Sequence, residues 1–114
     1  LFRFMTRGTI VSVGLDPTIG AEMQKTRPCA VVSPDVMNAA LKTVIIAPLT
    51  SSNKAIPTRV LVKATPTSGL KNDSYAALDQ VKTIDKMRIV SQIGQVSAEE
   101  EKALADALCM MFAY

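Results

Sequence analysis

Apolar and polar positions split the chain into a long first part that alternates at short range and a last part that repeats at helical spacing. Thr9 to Leu15 sets Ile10, Val11 and Val13 in a β-branched run, and Asp16-Pro17 ends it because proline brings no amide hydrogen to a ladder. Asp16 to Thr26 carries Pro17, Gly20, Glu22 and Lys25 without apolar periodicity, which predicts a long loop between strands. Arg27 to Ser33 and Thr43 to Leu49 read as two further strands, each closed by a proline, Pro34 and Pro48. Asp35 to Leu41 between them is long enough for a helical turn. Thr58 to Lys63 alternates Val60 and Val62 with Arg59, Leu61 and Lys63, as a half-exposed strand does, and a Pro66-Ser68-Gly69 turn follows. Ser74 to Val81 is predicted as one more strand. Thr83 to Arg88 fits either extended chain or a short turn of helix, and Val90, Ile93 and Val96 around Gly94 leave the type of Ile89 to Val96 open.

Ser97-Ala98-Glu99-Glu100 has the form of a capping box, with Ser97 accepting from the Glu100 amide and Glu100 reaching back. Ala103, Leu104, Ala107, Leu108 and Met111 then recur at helical spacing, and Glu99, Glu100 and Glu101 suit the positive end of a helix. Short strands followed by one amphipathic helix predict the α+β class: a strongly bent antiparallel sheet or small barrel with the helix packed across it. Met110, Met111, Phe112 and Tyr114 carry apolar character past one helix face, which points to a dimer interface.

A chain of 114 residues holds one core, so residues 6–114 are expected to form one domain. Residues 1–5 are expected to be an N-terminal flank, for which a cloning remnant is one explanation, since the stub lacks the apolar core and cleavage motif of a signal peptide. Pro48 and Thr50 interrupt the apolar run from Val44, and no stretch approaches the roughly eighteen apolar residues of a membrane span. A soluble, cytoplasmic protein is expected. Cys29 and Cys109 lie far apart, with no CxxC spacing and no histidine in the chain, a pattern that disfavours zinc. They are expected to be two buried small apolar residues in a reducing compartment, with a single disulfide left open.

The formal charge is +3 and the pI near 9.0, which favours a polyanionic partner without the density of a DNA-binding arm. There is no Lys/Arg run, so a nucleic-acid surface has to be assembled by the fold from Lys25, Arg27, Lys54, Lys82, Lys86 and Arg88. No His-based triad, HExxH, phosphate-binding glycine loop or carboxylate cluster at metal spacing is present. RNA cleavage by the substrate's own 2′-hydroxyl remains open to a chain equipped with Arg, Thr, Ser, Asp and Lys. The protein then orients the phosphate, neutralises the developing oxyanion and moves two protons. A guanidinium suits the oxyanion because its planar fork matches phosphate and stays charged. Arg27 is the candidate.

The strings Arg7-Gly8, Leu15-Asp16-Pro17, Gly20-x-Glu22, Arg27-Pro28-x-x-Val31-Val32, Ala47-Pro48-Leu49-Thr50 and Asp79-Gln80-Val81-Lys82-Thr83-Ile84-Asp85-Lys86 resemble, in order and spacing, the motifs of MazF/PemK/Kid toxins. The resemblance spans nearly the whole chain. It implies a small SH3-like β-barrel with helices (the CcdB/PemK-like fold) and a homodimer that cuts single-stranded RNA at short sequences without metal or cofactor. It also implies a cognate antitoxin that holds the toxin inactive. Arg27 and Thr50 match the positions taken as catalytic in that family, Arg27 stabilising the phosphorane and Thr50 bonding the phosphate, with Ser51 in reach to assist. Asp79 matches an acidic position used as a base or for base contacts, and Gln80 offers a two-sided amide to base edges. Gly20, Glu22 and Lys25 fall in a loop where the family places substrate and antitoxin contacts, while Lys54, Lys82, Lys86 and Arg88 are candidate phosphate contacts.

The chain departs from the pattern in places. Kid-like members carry an arginine two residues before the acid, where this chain has Ala77, and some use a histidine that is absent here. Thr9 and Ser12 stand where many members have an acid and an aromatic, and aromatics are 4% of the chain, so base stacking falls to Tyr75, the few Phe or arginine planes. Plainer roles exist for each residue: Arg27 as a surface charge at the start of a strand, Thr50 and Ser51 in a turn, Asp79 paired with Lys82 or Lys86. The rival function is that of a CcdB-like gyrase poison. Such chains end in Trp-Gly-Ile, whereas this one ends in Phe112-Ala113-Tyr114 and has no tryptophan.

Overall fold

The structure is a computed structural model that describes residues 5–14 and 26–113. Its elements are β1 (Thr9–Gly14), β2 (Thr26–Val31), α1 (Asp35–Ala40), β3 (Thr43–Thr50), β4 (Arg59–Val62), β5 (Ser74–Ala77), β6 (Lys82–Asp85), β7 (Ile89–Gln95) and α2 (Ala98–Phe112), with 3-10 turns at Leu78–Gln80 and Lys86–Arg88. The predicted loop with Gly20, Glu22 and Lys25 lies outside the described residues, as does Tyr114. Among the described residues the strands form one antiparallel sheet in the order β4-β5-β3-β2-β1-β7, with β6 also on β3. This is the α+β, barrel-like arrangement expected.

Strand β3 organises the sheet. One of its edges is taken by β2 through Ile46 to Pro48. The other serves two partners, β6 along Thr43 to Ile46 and β5 along Leu49 and Thr50. Between the pairs Ile46↔Lys82 and Leu49↔Ala76, β3 advances three residues while its partner uses six. Three residues are therefore extruded, and they form the 3-10 turn Leu78–Gln80. The strand expected from Ser74 to Val81 is thus cut at Ala77, with Leu78 buried and Asp79 and Gln80 turned outward. Pro48 does not close its strand either. It sits inside β3 opposite Cys29, on the stretch between β6 and β5 where a missing N–H removes no ladder bond.

Alternation of side chains across the sheet builds two cores. Ala30, Val32, Ala47 and Leu49 join Leu78, Leu104 and Ala107 under α2, while Cys29, Val31, Val44 and Ile46 join Met5, Val11, Val13, Ile84 and Ile89 on the other face. Met5, expected to end the flank, is buried with the second core. The sheet curls until the turn after β4 meets β7, where the Gln95 amide donates to the Thr67 carbonyl at 3.0 Å. Both sides of this seam are glycine for a steric reason: a Cβ on Gly94 would stand 2.3 Å from the Ser68 carbonyl oxygen, and one on Gly69 (φ +69°) 2.4 Å from that of Ile93.

Helix α2 starts with the capping box read from sequence: the Glu100 amide donates to Ser97 Oγ at 3.1 Å and the Ser97 amide to Glu100 Oε1 at 2.9 Å. Glu100 Oε2 also accepts the Lys63 amide at 2.8 Å, fastening the helix to the end of β4. At the far end Met110 and Phe112 stay exposed while Met111 packs on the core. Cys109 is exposed as well, a correction to the expectation of two buried cysteines, and Cys29 and Cys109 are both free thiols. Ser97→Ala removes one of the two reciprocal bonds and is expected to cost about 1 kcal/mol, a fall of about 5 °C in thermal midpoint followed by circular dichroism.

Candidate active site

Arg27 lies in β2 with its neighbour across the ladder, Val13, in β1. The β2/β3 register passes through Cys29↔Pro48, and two residues further on Arg27 and Thr50 stand at corresponding positions on the same face. Thr50 is in turn opposite Tyr75, and Tyr75 opposite Leu61. One row across the sheet therefore carries Val13, Arg27, Thr50, Tyr75 and Leu61 together. Lys82, opposite Ile46, shares this face further along β3. The buried Cys29 thiol lies near both cations: burial pushes its pKa up to about 11, and the charges of Arg27 and Lys82 act against that rise.

Thr50 Oγ1 accepts the Ser52 amide at 3.2 Å, the turn role that its sequence context allowed. This bond uses a lone pair and leaves the hydroxyl hydrogen to point at a ligand. Ser51 looks to the other side of the sheet, where with Pro28, Leu49, Leu70, Asp73 and Ile93 it lines a cavity of 650 Å³. It is not brought together with Arg27 and Thr50. Lys54 is exposed in the segment after Thr50, next to Ala55, whose φ is +53°.

Asp79 has a partner that the spacing of charges did not reveal. Arg59 in β4 is opposite Ala77, and its guanidinium reaches past that small residue to Asp79, with Nε donating to Oδ1 at 2.8 Å and Nη2 to Oδ2 at 3.1 Å. Thr58 Oγ1 adds a bond to Oδ1 at 3.4 Å. The pairing with Lys82 or Lys86 weighed from sequence is replaced by this ion pair. The Arg59 hydrogen bond, more than any other influence, holds the Asp79 carboxyl below the usual carboxylate range. Gln80 is exposed next to it on the same turn.

The two remaining candidate cations part company. Arg88 Nη1 donates to the Gly14 carbonyl at 3.4 Å, and Gly14 is opposite Thr26, so Arg88 flanks the Arg27 end of the row. Lys86 follows Asp85, which is opposite Thr43, seven residues of β3 from Thr50 and about 23 Å away along an extended strand. Its ammonium donates to the carbonyl of buried Asn38, and Asn38 Nδ2 donates to the Ser33 carbonyl at 3.0 Å. Lys86 is thus engaged in fastening α1 to the sheet, at a distance from the Arg27–Thr50 row.

Two outcomes follow from the titrating groups. Asp79 has a depressed folded pKa, so its contribution to stability is present above the unfolded value, near pH 4, and is lost as pH falls through the folded value. Asp79→Asn is expected to flatten the acid limb of a denaturant-midpoint profile taken between pH 7 and 2. The raised Cys29 pKa keeps that thiol protonated at pH 8. Iodoacetamide at that pH is expected to label Cys109 alone in the native protein and both thiols in denaturant, as read by mass spectrometry.

Known proteins share the sequence and the fold of this chain. Residues 6–112 match the family described as the PemK-like, MazF-like toxin of type II toxin-antitoxin systems. The chain is 40% identical over 110 residues to endoribonuclease MazF9 of Mycobacterium tuberculosis, covering 91% of this chain and 92% of that one. It is 34% identical over 104 residues to endoribonuclease EndoA of Bacillus subtilis, covering 90% and 89%. Among solved structures, the M. tuberculosis toxin MazF-mt6 superposes with a TM-score of 0.75 at 31% identity over 91% of this chain and 95% of that one. A MazE-MazF complex from Deinococcus radiodurans shares the fold, with a TM-score of 0.75 at 22% identity over 95% of each chain. The extent of the family match, the identity to MazF9 and the shared fold show that the chain belongs to the PemK-like, MazF-like toxins of type II toxin-antitoxin systems.

Proposed function

We propose that the protein is a sequence-specific endoribonuclease that cuts single-stranded RNA through attack of the 2′-oxygen on the adjacent phosphorus. The products are a 2′,3′-cyclic phosphate and a 5′-hydroxyl. The observation that carries this is the register of β2 and β3, which, continued two residues past Cys29↔Pro48, brings Arg27 and Thr50 to corresponding positions on one face, with Tyr75 opposite Thr50. The Arg27 guanidinium supplies two donors to the phosphorane oxygens, and the free Thr50 hydrogen supplies a third. Lys82 on the same face adds positive potential for a neighbouring phosphate, and Arg88 does so at the other end. Tyr75 offers its ring to a base next to the scissile bond. Asp79, already bound by Arg59, is a weak base at neutral pH and serves in substrate contact with Gln80 rather than in proton removal.

A metal-free reaction fits the residue types in the row, whose cations neutralise charge without a Lewis acid. The active form in this reading is a homodimer, to which the exposed Met110 and Phe112 of α2 contribute apolar surface. A cognate antitoxin restrains it, with the segment of Gly20, Glu22 and Lys25 as a contact for antitoxin and RNA. No described helix is long and apolar enough to cross a membrane, and the cytoplasm, where messenger RNA lies, is the proposed site of action. The gyrase-binding alternative has no support from the relatives, which carry endoribonuclease names.

The test is a long mixed-sequence RNA incubated in chelator with wild-type protein and with Arg27→Ala, and the cleavage ends mapped. Wild type is expected to cut at a short recurring sequence, and Arg27→Ala to be slower by about a hundredfold or more. RNA left intact by a folded, dimeric wild-type protein, or cutting that disappears with the metal, overturns the proposal.

A further inference from the structure

Arg59 stands outside the family motifs quoted above. Its side chain is only 7% exposed, although it leaves from a four-residue strand near the sheet edge. Each of its three guanidinium nitrogens has an acceptor. Nε and Nη2 hold the two oxygens of Asp79, and Nη1 donates to the Ser52 carbonyl at 3.4 Å. Those two targets belong to separate segments. Asp79 is on the turn extruded between β5 and β6, and Ser52 is in the segment that follows Thr50, where its amide is already bonded to Thr50 Oγ1. One guanidinium therefore bridges the turn that presents Gln80 and the residue whose amide orients Thr50.

Neither segment is paired as a strand, although the Leu78 amide donates to the Thr58 carbonyl at 2.9 Å where the two approach. The extruded turn is outside the β3 pairing on both sides, and residues 51–58 lie between β3 and β4 without strand structure. A planar fork with three donors in fixed geometry is suited to set the distance between them; an ammonium in its place offers only a point charge. The ion pair is also dry on one side and wet on the other, with Asp79 33% exposed, so its exposed flank faces the same solvent as Gln80.

On the endoribonuclease reading above, we propose that Arg59 is a positioning residue for RNA cleavage: it ties the Asp79-Gln80 turn to the Thr50-Ser51-Ser52 segment. The phosphate held at Thr50 and the base met by Gln80 thereby keep one separation, and sequence preference and rate depend on the same clamp. Arg59 itself touches neither. Because Asp79 acts through this clamp, Arg59 and Asp79 form one functional unit.

The test is a double-mutant cycle of Arg59→Met and Asp79→Asn, with Arg27→Ala alongside. Rates are measured on an RNA containing the preferred sequence and on one carrying a changed base. Each single variant is expected to lose about 10- to 100-fold in kcat/KM on the preferred RNA and to discriminate less against the changed base, and the double variant to lose no more than the worse single one. Arg59→Lys is expected to fall between wild type and Arg59→Met. Losses that multiply in the double variant, or a discrimination ratio unchanged in Arg59→Met, overturn the clamp. Amide hydrogen exchange gives a readout independent of RNA: residues 51–53 and 78–80 are both expected to exchange faster in Arg59→Met while β1 and β2 do not change. Unaltered exchange in either segment also overturns it. A wild-type protein that leaves RNA intact defeats the endoribonuclease reading instead, and with it the role in cleavage, whereas the tether is judged by exchange alone.

Discussion

Strand β3 has to satisfy partners along both edges, and on one edge no single neighbour spans its eight residues in one register. A backbone amide left without a partner in a sheet interior costs free energy, so the chain that runs along that edge must re-register instead of continuing. It does so by pushing three residues out. Leu78 turns inward and fills the core under α2, which anchors the extrusion, and Asp79 and Gln80 are left at the surface at the level where β3 ends. The same change of partner accommodates Pro48 two residues before Thr50. Geometry that arises from hydrogen-bond accounting thus puts polar, exposed side chains next to a strand end, where the chain is free to leave the sheet and its last hydroxyl is reachable.

Charge is distributed around that point with a clear division. Arg27 and Lys82 lie on one face near a buried thiol that burial keeps protonated, so that thiol brings no counter-charge to their field. Arg59 is tied up with Asp79, and Lys86 with the backbone of Asn38, so their charges serve structure. A formal charge of +3 spread over the whole molecule would attract RNA weakly. On the proposed endoribonuclease reading, Arg27 and Lys82, gathered on the Arg27–Thr50 face, supply the local positive potential that a modest total alone does not.

Local patterns that involve few neighbours were legible from the residues alone. The capping box at Ser97, the β-branched run of β1 and the short helix after Pro34 depend on contacts within a few positions, and all are found close to where they were expected. The positions that misled depend on pairing between distant segments. Ser74 to Val81 looks like one strand because its apolar content is continuous, and only the register against β3 shows that it is two. Asp79 has lysines three and seven residues away in sequence, yet an arginine twenty residues earlier reaches it because β4 pairs with β5 and Ala77 leaves room. Cys109, expected to be buried because a free thiol packs as a small apolar residue, falls instead on the outer side of α2. Arg27 and Thr50 were named from a family resemblance; that they occupy facing positions is a property of the ladder, which no spacing between positions 27 and 50 could disclose.

The glycine seam that brings the turn after β4 against β7 reaches further than its size implies. It is held by the absence of two carbon atoms and a main-chain hydrogen bond, with no side chain on either glycine to adjust. Ile93, whose carbonyl touches the seam, also lines the cavity that holds Ser51, and Gly69 and Leu70 form part of its wall. A methyl group at position 94 would therefore reshape a hollow on the far side of the Arg27–Thr50 sheet without altering any residue in it. The backbone spacing at one closure point thus holds the shape of the hollow behind the site, with no polar residue of the row taking part.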